Sequence, residues 1–162
     1  MPTPTFRVTT PVQIGQVFAD RYQVVGKLGF GATSTVWLAH DLCQDQHVAL
    51  KVFIRSQALG DAVKNETSMY KRIEQHPSDH AGRNAIRTLV DSFQVSGPNG
   101  QHLVLAHPPL SDSLEVGIRR SSIKRLPPWG LRYVLKNILL ALDYLHAECQ
   151  IIHTDIKAVS HY

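Results

Sequence analysis

The sequence has little cysteine. Its two thiols, Cys43 and Cys149 in a chain of 162 residues, lie far apart and outside any CxxC spacing. They read as reduced thiols of a nuclear or cytoplasmic protein rather than as a disulfide framework. Long apolar runs are also missing. Nothing approaches the roughly 18 residues needed to span a bilayer, so no membrane association is expected. The opening "MPTPTFRVTTPVQIG" has no apolar h-region, which argues against a secretory signal. Nine histidines are present, yet none falls in HExxH or another ligand spacing, and no metal site is expected from them. There is no GK[ST], which disfavours a P-loop NTPase. Internal repeats and low-complexity tracts are absent as well.

What remains is the composition of a soluble globular protein: 43% hydrophobic, 19% charged, mean hydropathy -0.13. The length would normally hold one compact domain. A net charge of +4 permits acidic partners, but the charge is dispersed apart from "RRSSIKR" at 119–125. That run reads as a solvated face, and no direct nucleic-acid contact is expected.

Residues 1–18, rich in Thr, Pro and Val, read as an extended arm. "RYQVVGKLG", "TSTVWLAH" and "HVALKVFI" then read as three strands of an antiparallel meander, with turns at "GFGA" and "DLCQDQ". "GDAVKNETSMYKRIEQ" changes to a helical period, with Asp61 near its start. "AIRTLVDSFQV" and "QHLVLAH" are two more strands around "SGPNG". After Pro108-Pro109 and an uncertain stretch comes the clearest helix, "PPWGLRYVLKNILLALDYLHAEC". Pro128 suits its first turn, and Leu131, Val134, Leu135, Ile138, Leu142 and Leu145 form one wide apolar stripe.

Three stations along this order carry chemistry. In "LGFGATSTV", Gly29 and Gly31 let backbone approach phosphates, or simply make a hairpin turn. The third glycine of GxGxxG is replaced by Ser34, and a strand rather than a helix follows, which disfavours a Rossmann site. Lys51 lies in an apolar strand between Leu50 and Val52, where alternation does not settle its direction. Such a lysine either snorkels to solvent or holds an anion. Glu66 on the following helix is placed to pair with it, or is an ordinary surface carboxylate. In "HTDIK", Asp155 could accept a hydroxyl proton, Lys157 could neutralise a transferring phosphoryl group, and His153 would buttress the loop. Glycine turn, strand lysine, helix glutamate and HxDxK, in this order, match the phosphate-handling set of a protein kinase.

The sequence resembles the eukaryotic protein kinase family, and within it the SR-protein kinases, especially fungal members. The resemblance runs from about Pro11 to Lys157 and rests on "GQVFADRYQVVGKLGFGATSTVWLAHD", "VALKV", "IRTLVDSF", "LALDYLHAEC" and "IIHTDIK". HTD in place of HRD is shared with the LAMMER kinases. The resemblance implies an α+β, protein-kinase-like fold: a five-stranded antiparallel N-lobe sheet with one helix, then an incomplete helical C-lobe. It implies an extension over 1–18, an ATP-binding N-lobe over 19–109, and the hinge with a partial C-lobe over 110–162. Leu28, Gly29, Gly31 and Val36 would surround the nucleotide, Ala49 would lie against adenine, and Lys51 would contact phosphates while pairing with Glu66. His107 would be the gatekeeper. The carbonyl of Pro108 and the N–H of Leu110 would meet the adenine edge. Asp155 would be the base and Lys157 its phosphate-facing partner. Thr154 stands where many kinases have an arginine that reads a phosphorylated activation loop.

The implied reaction is ATP-dependent phosphorylation of serine in Arg/Ser-rich, splicing-factor-type proteins, in cytoplasm and nucleus, with ATP and Mg as cofactors. The family pattern lapses after Lys157, and Ser160 occupies the place of the metal-binding asparagine. The expectation is a domain cut within its catalytic loop, without its magnesium ligands and inactive on its own. The alternatives are a nucleotide-binding or scaffolding pseudokinase fragment and an incomplete gene product.

Overall fold

The structure is a computed structural model that describes residues 12–54, 56–76, 78–97, 100–110, 114–154 and 156. The chain divides into two compact units, one holding residues 12–64 and 89–110, the other 65–88 and 111–156.

The first unit is an antiparallel sheet. β1 (Val17–Phe18), β2 (Tyr22–Phe30), β3 (Ser34–Asp41) and β4 (Gln46–Phe53) form a meander. β5 (Asp91–Gly97) and β6 (Gly100–His107) complete it in the order β1-β2-β3-β4-β6-β5. All five expected strands are present, and β1 is a sixth. Where an arm is expected through residue 18, the chain instead joins the sheet. The Gly15 N–H donates to the Val24 carbonyl at 2.7 Å, and the Val24 N–H donates to the Gln16 carbonyl at 2.8 Å. Ala19 and Asp20, with φ of 50° and 52°, turn the chain so that Phe18 pairs with Tyr22. Val12 and Phe18 are buried with Tyr22, Val24, Leu50 and Val104 on one face of the sheet.

A charged clamp fixes one end of this sheet. The Nε and Nη2 of Arg21 donate to the two Asp41 oxygens at 2.8 and 2.7 Å. Asp41 is fully buried, and its Oδ1 also accepts the backbone N–H groups of Cys43 and Gln44 at 3.0 and 3.3 Å. A buried carboxylate is tolerated only when paired and hydrogen-bonded in this way. The Arg21 hydrogen bond, against the opposing effect of burial, holds the Asp41 carboxyl below the usual carboxylate range. Next to it the Tyr22 hydroxyl donates to Asp91 Oδ2 at 2.9 Å, and the Tyr22 ring stacks on Phe93 at 5.5 Å. Burial first, then that bond to Asp91, pushes the Tyr22 phenol well above its ordinary value.

α1 (Ser56–Glu74) bends at Gly60, whose φ of 27° and ψ of −95° are not helical. The regular helix therefore begins beside Asp61, where the sequence places its start. The second unit also contains a 3-10 turn (Ala81–Ala85), α2 (Leu114–Arg120) and α3 (Pro128–Asp143), which continues as a wider π turn over Tyr144–Glu148. Its core is Ile73, Tyr144, Leu145 and Cys149, flanked by Ile86 and Ile151. The buried Tyr144 hydroxyl donates to the His76 carbonyl at 2.9 Å. His80 Nδ1 accepts the Gly82 N–H at 3.1 Å, so its Nε2 carries the proton and donates to Asp143 at 3.1 Å. The 3-10 turn approaches α3 so closely that a Cβ on Gly82 would collide with the Leu140 carbonyl. The apolar stripe of α3 is uneven: Leu145 is buried, Val134, Ile138 and Leu142 are half-buried, and Leu131, Leu135 and Leu139 are exposed.

Two stability outcomes are expected. Gly82→Ala should destabilise the second unit by about 1–3 kcal/mol through overpacking against backbone, read by chemical denaturation. Asp41→Asn should lower the melting temperature by more than about 5 °C. Because Asp41 has a depressed folded pKa, its contribution is present above the unfolded carboxyl value of about 3.9 and is lost as pH falls from there through the lower folded value. The melting curve of Asp41→Asn should lack that acid step.

Candidate functional site

Strand pairing settles which residues share a face. Val36 lies directly opposite Lys51, Leu38 opposite Ala49, and Gly29 opposite Val36. Across the other edge of β4, Ala49 lies opposite His107 and Lys51 opposite Leu105. Residues directly opposite one another in a ladder project from the same face. Gly29, Val36, Ala49, Lys51, Leu105 and His107 therefore form one surface, on the side away from the core of Leu50 and Val52. The direction of Lys51, open in the sequence, is fixed by this register.

Val36, Ala49, Leu105 and His107 are each at most 2% exposed, which makes the surface around Lys51 dry and mostly apolar. Lys51 itself is half-buried, with Nζ 4.9 Å from the centre of the Phe53 ring. Leu105 is a member that sequence reasoning missed. Counting two residues back from His107 along an alternating strand would have found it.

The glycine turn closes beside this surface. The Gly31 N–H donates to the Ser34 carbonyl at 2.8 Å. Register shifts between Val24 and Gly26, and between Lys27 and Gly29, leave Leu28 unpaired and partly exposed. Neither Gly29 nor Gly31 has a positive φ. A Cβ on Gly31 would meet only the Ser34 carbonyl, at 4.0 Å, an ordinary contact. The turn thus does not need glycine for its own conformation. What the missing side chain leaves is uncovered backbone.

Pro108, Pro109 and Leu110 leave β6 as an exposed segment. Glu66 is half-buried on α1, within the second unit. His153 and Thr154 are exposed beyond α3, in a stretch anchored by the Ile151 N–H bonding to the Leu145 carbonyl at 2.8 Å. Asp155 and Lys157 lie outside the described residues, as does Ser160. Among the described residues no group of three His, Cys, Asp or Glu side chains could hold a metal ion. A shallow apolar groove runs along α3 past Leu131, Leu135 and Leu139, flanked by Arg132 and Lys136. It holds none of the residues expected to handle phosphate.

The family model for the protein kinase domain matches residues 22–159. A serine/threonine protein kinase of Aspergillus fumigatus is 41% identical over 145 residues, covering 90% of this chain and 36% of that protein. Human SRSF protein kinase 3 is 39% identical over 147 residues, covering 91% and 26%. The serine/threonine-protein kinase SKY1 of Saccharomyces cerevisiae is 37% identical over 151 residues, covering 91% and 20%. The chain spans about a third or less of the length of these curated relatives.

Gly31→Ala separates the two uses of a glycine. Its melting temperature should stay within about 3 °C of the parent chain, because neither φ nor space forbids the methyl. Affinity for a phosphate-bearing nucleotide should fall about 3–10-fold, because the methyl occupies the approach to the backbone. A fall of more than about 5 °C would show that the turn itself requires glycine.

Proposed function

The chain belongs to the protein kinase family, as part of a serine/threonine protein kinase domain, and from that premise we propose that it supplies the ATP-holding sheet and the start of the catalytic loop of a kinase acting on Arg/Ser-rich proteins. The observation that carries this reading is the ladder that sets Val36 opposite Lys51 and Ala49 opposite His107. It gathers an apolar floor and a cation on one surface, beside uncovered glycine backbone. The substrate class rests on the similarity to SRSF protein kinase 3 and SKY1.

When bound, ATP supplies the phosphoryl group. Val36 and Ala49 would take the adenine through apolar contact, and the Pro108 carbonyl and Leu110 N–H would read its edge. The ammonium of Lys51 would offset phosphate charge, an effect strengthened by the dry surroundings of that strand. At the end of the loop, Asp155 would accept the proton of a serine hydroxyl and Lys157 would stabilise charge on the moving phosphoryl group.

Nucleotide binding is tested on the purified chain with a fluorescent ATP analogue. Lys51→Met should weaken it by about tenfold, the scale of one lost charge-assisted hydrogen bond. Equal affinity of parent and variant would refute the assignment of Lys51. In the protein that carries this chain, transfer of labelled phosphate to an Arg-Ser peptide should fall about 10²–10⁴-fold in Asp155→Asn, as expected for a general base. Peptides without arginine should be poorer substrates.

A further inference from the structure

The face of the glycine hairpin opposite Lys51 holds a group of side chains for which the proposed kinase chemistry has no use. Residues three apart in an unbroken strand point to opposite faces. Lys27 and Phe30 do not, because the register shift between Lys27 and Gly29 inserts a residue, so that Lys27 pairs with Trp37 and Phe30 with Thr35. Trp37 and Thr35 are themselves two apart on β3 and share a face. The bulge therefore collects Lys27, Phe30, Trp37 and Thr35 on the side of the sheet opposite Lys51.

The four make a connected set. The Trp37 Nε1–H donates to Thr35 Oγ1 at 3.0 Å, which fixes the indole. Lys27 Nζ lies 5.6 Å from the centre of the Trp37 ring and 5.1 Å from the centre of the Phe30 ring. Both distances are within the range in which a ring face attracts a cation. Thr35 is buried and Trp37 half-buried, whereas Phe30 is 73% exposed. Hydrophobic burial alone does not explain where the Phe30 ring lies, and among the described residues Lys27 makes no ion pair. Phe30 is the last residue of β2, directly before Gly31.

We propose that Lys27 is a positioning residue for the glycine turn: its ammonium bridges the fixed Trp37 ring and the Phe30 ring, holding the end of β2 against β3 from the face opposite Lys51. The Lys51 side of the turn, at Gly29 and Gly31, then stays free of any side chain that would otherwise be needed to brace it. This rests on the proposed nucleotide reading of that face. A hairpin end held only by the backbone bonds of Gly31 to Ser34 and of Ile54 to Thr33 would fray, and fraying would lower affinity for a ligand that meets turn backbone. The bridge restricts that motion without occupying the ligand's approach.

The experiment uses the whole chain and two variants. Lys27→Met keeps the aliphatic stem and removes the cation, and Lys27→Arg keeps a cation over the rings. Amide hydrogen exchange at Gly31 and Ile54, whose N–H groups bond to the Ser34 and Thr33 carbonyls, is measured without nucleotide, together with melting temperature and affinity for a fluorescent ATP analogue. In Lys27→Met, exchange at these amides should rise about 3–10-fold and nucleotide affinity fall about 3–5-fold. The melting temperature should change by less than about 2 °C, and Lys27→Arg should restore the parent values of all three. Unchanged exchange in Lys27→Met, or equal effects of Met and Arg, would overturn the proposal. A global loss of stability in Lys27→Met that Lys27→Arg does not repair would also overturn it, because the role would then be structural. If the parent chain binds no nucleotide, the functional reading fails, and the bridge stands or falls on the contrast in exchange between Met and Arg.

Discussion

The pairing of Arg21 with the buried Asp41 is the constraint on which the rest of the sheet depends. Tyr22 opposite Asp41 is the first rung of the β2–β3 ladder, and Arg21 immediately precedes it. If β3 slipped by one residue, Asp41 would leave its arginine fork and keep only its local bonds to Cys43 and Gln44, and a charge would be left unpaired in the interior. The same slip would exchange the faces of every β3 residue, turning Val36 away from Lys51 and sending Thr35 and Trp37 to its place. An interaction far along the hairpin from the glycines thus decides which side chains surround the lysine. Hydrophobic patterning alone would decide it less firmly, because both faces of β3 and β4 carry apolar residues.

The site surface is also a matter of chain order. Gly29, Val36, Lys51 and His107 come from β2, β3, β4 and β6, and β5 intervenes in sequence but lies outside β6 in the sheet. The chain therefore returns to the lysine strand only after adding the sheet edge. His107 reaches Ala49 because the β5–β6 hairpin pairs Asp91 with Ala106 and Gly97 with Gly100 without a shift. The tie between Tyr22 and Asp91 fastens that hairpin to the clamp at the far side of the sheet. One hydrogen-bonded group accordingly anchors both hairpins that contribute to the candidate site.

Much of this was legible from the residues. The alternation of "RYQVVGKLG" and "TSTVWLAH" and the long stripe after Pro128 correspond to β2, β3 and α3. The losses have particular causes. β1 is two residues long, too short for a period, and its burial shows only in Phe18. "AIRTLVDSFQV" reads as one strand from Ala85, but the 3-10 turn capped by His80 takes Ala85, and the ladder starts at Asp91. α2 falls in the stretch where the sequence shows no clear period. The direction of Lys51 was hidden because β4 is apolar on both faces, and only pairing with Val36 and Leu105 reveals it. The association of Lys27 with Phe30 depends on a bulge, which a two-residue period cannot express.

The π turn at the end of α3 changes the helix's phase. The Cys149 N–H bonds to the Tyr144 carbonyl, five residues back, at 3.2 Å. One more residue is accommodated in that turn than an α-helix would hold, and each α-helical residue advances the face by about 100°. Tyr144, Leu145 and Cys149 can all turn inward at the place where a strict α period would start to rotate them out. The turn therefore acts as a phase corrector, like a shim between a shaft and its coupling. It lets the apolar stripe of α3 keep its own spacing while the segment leading to His153 starts from an independently set angle. Insertions or deletions in α3 upstream of Tyr144 would change the shim before they changed the orientation of Ile151, Ile152 and His153.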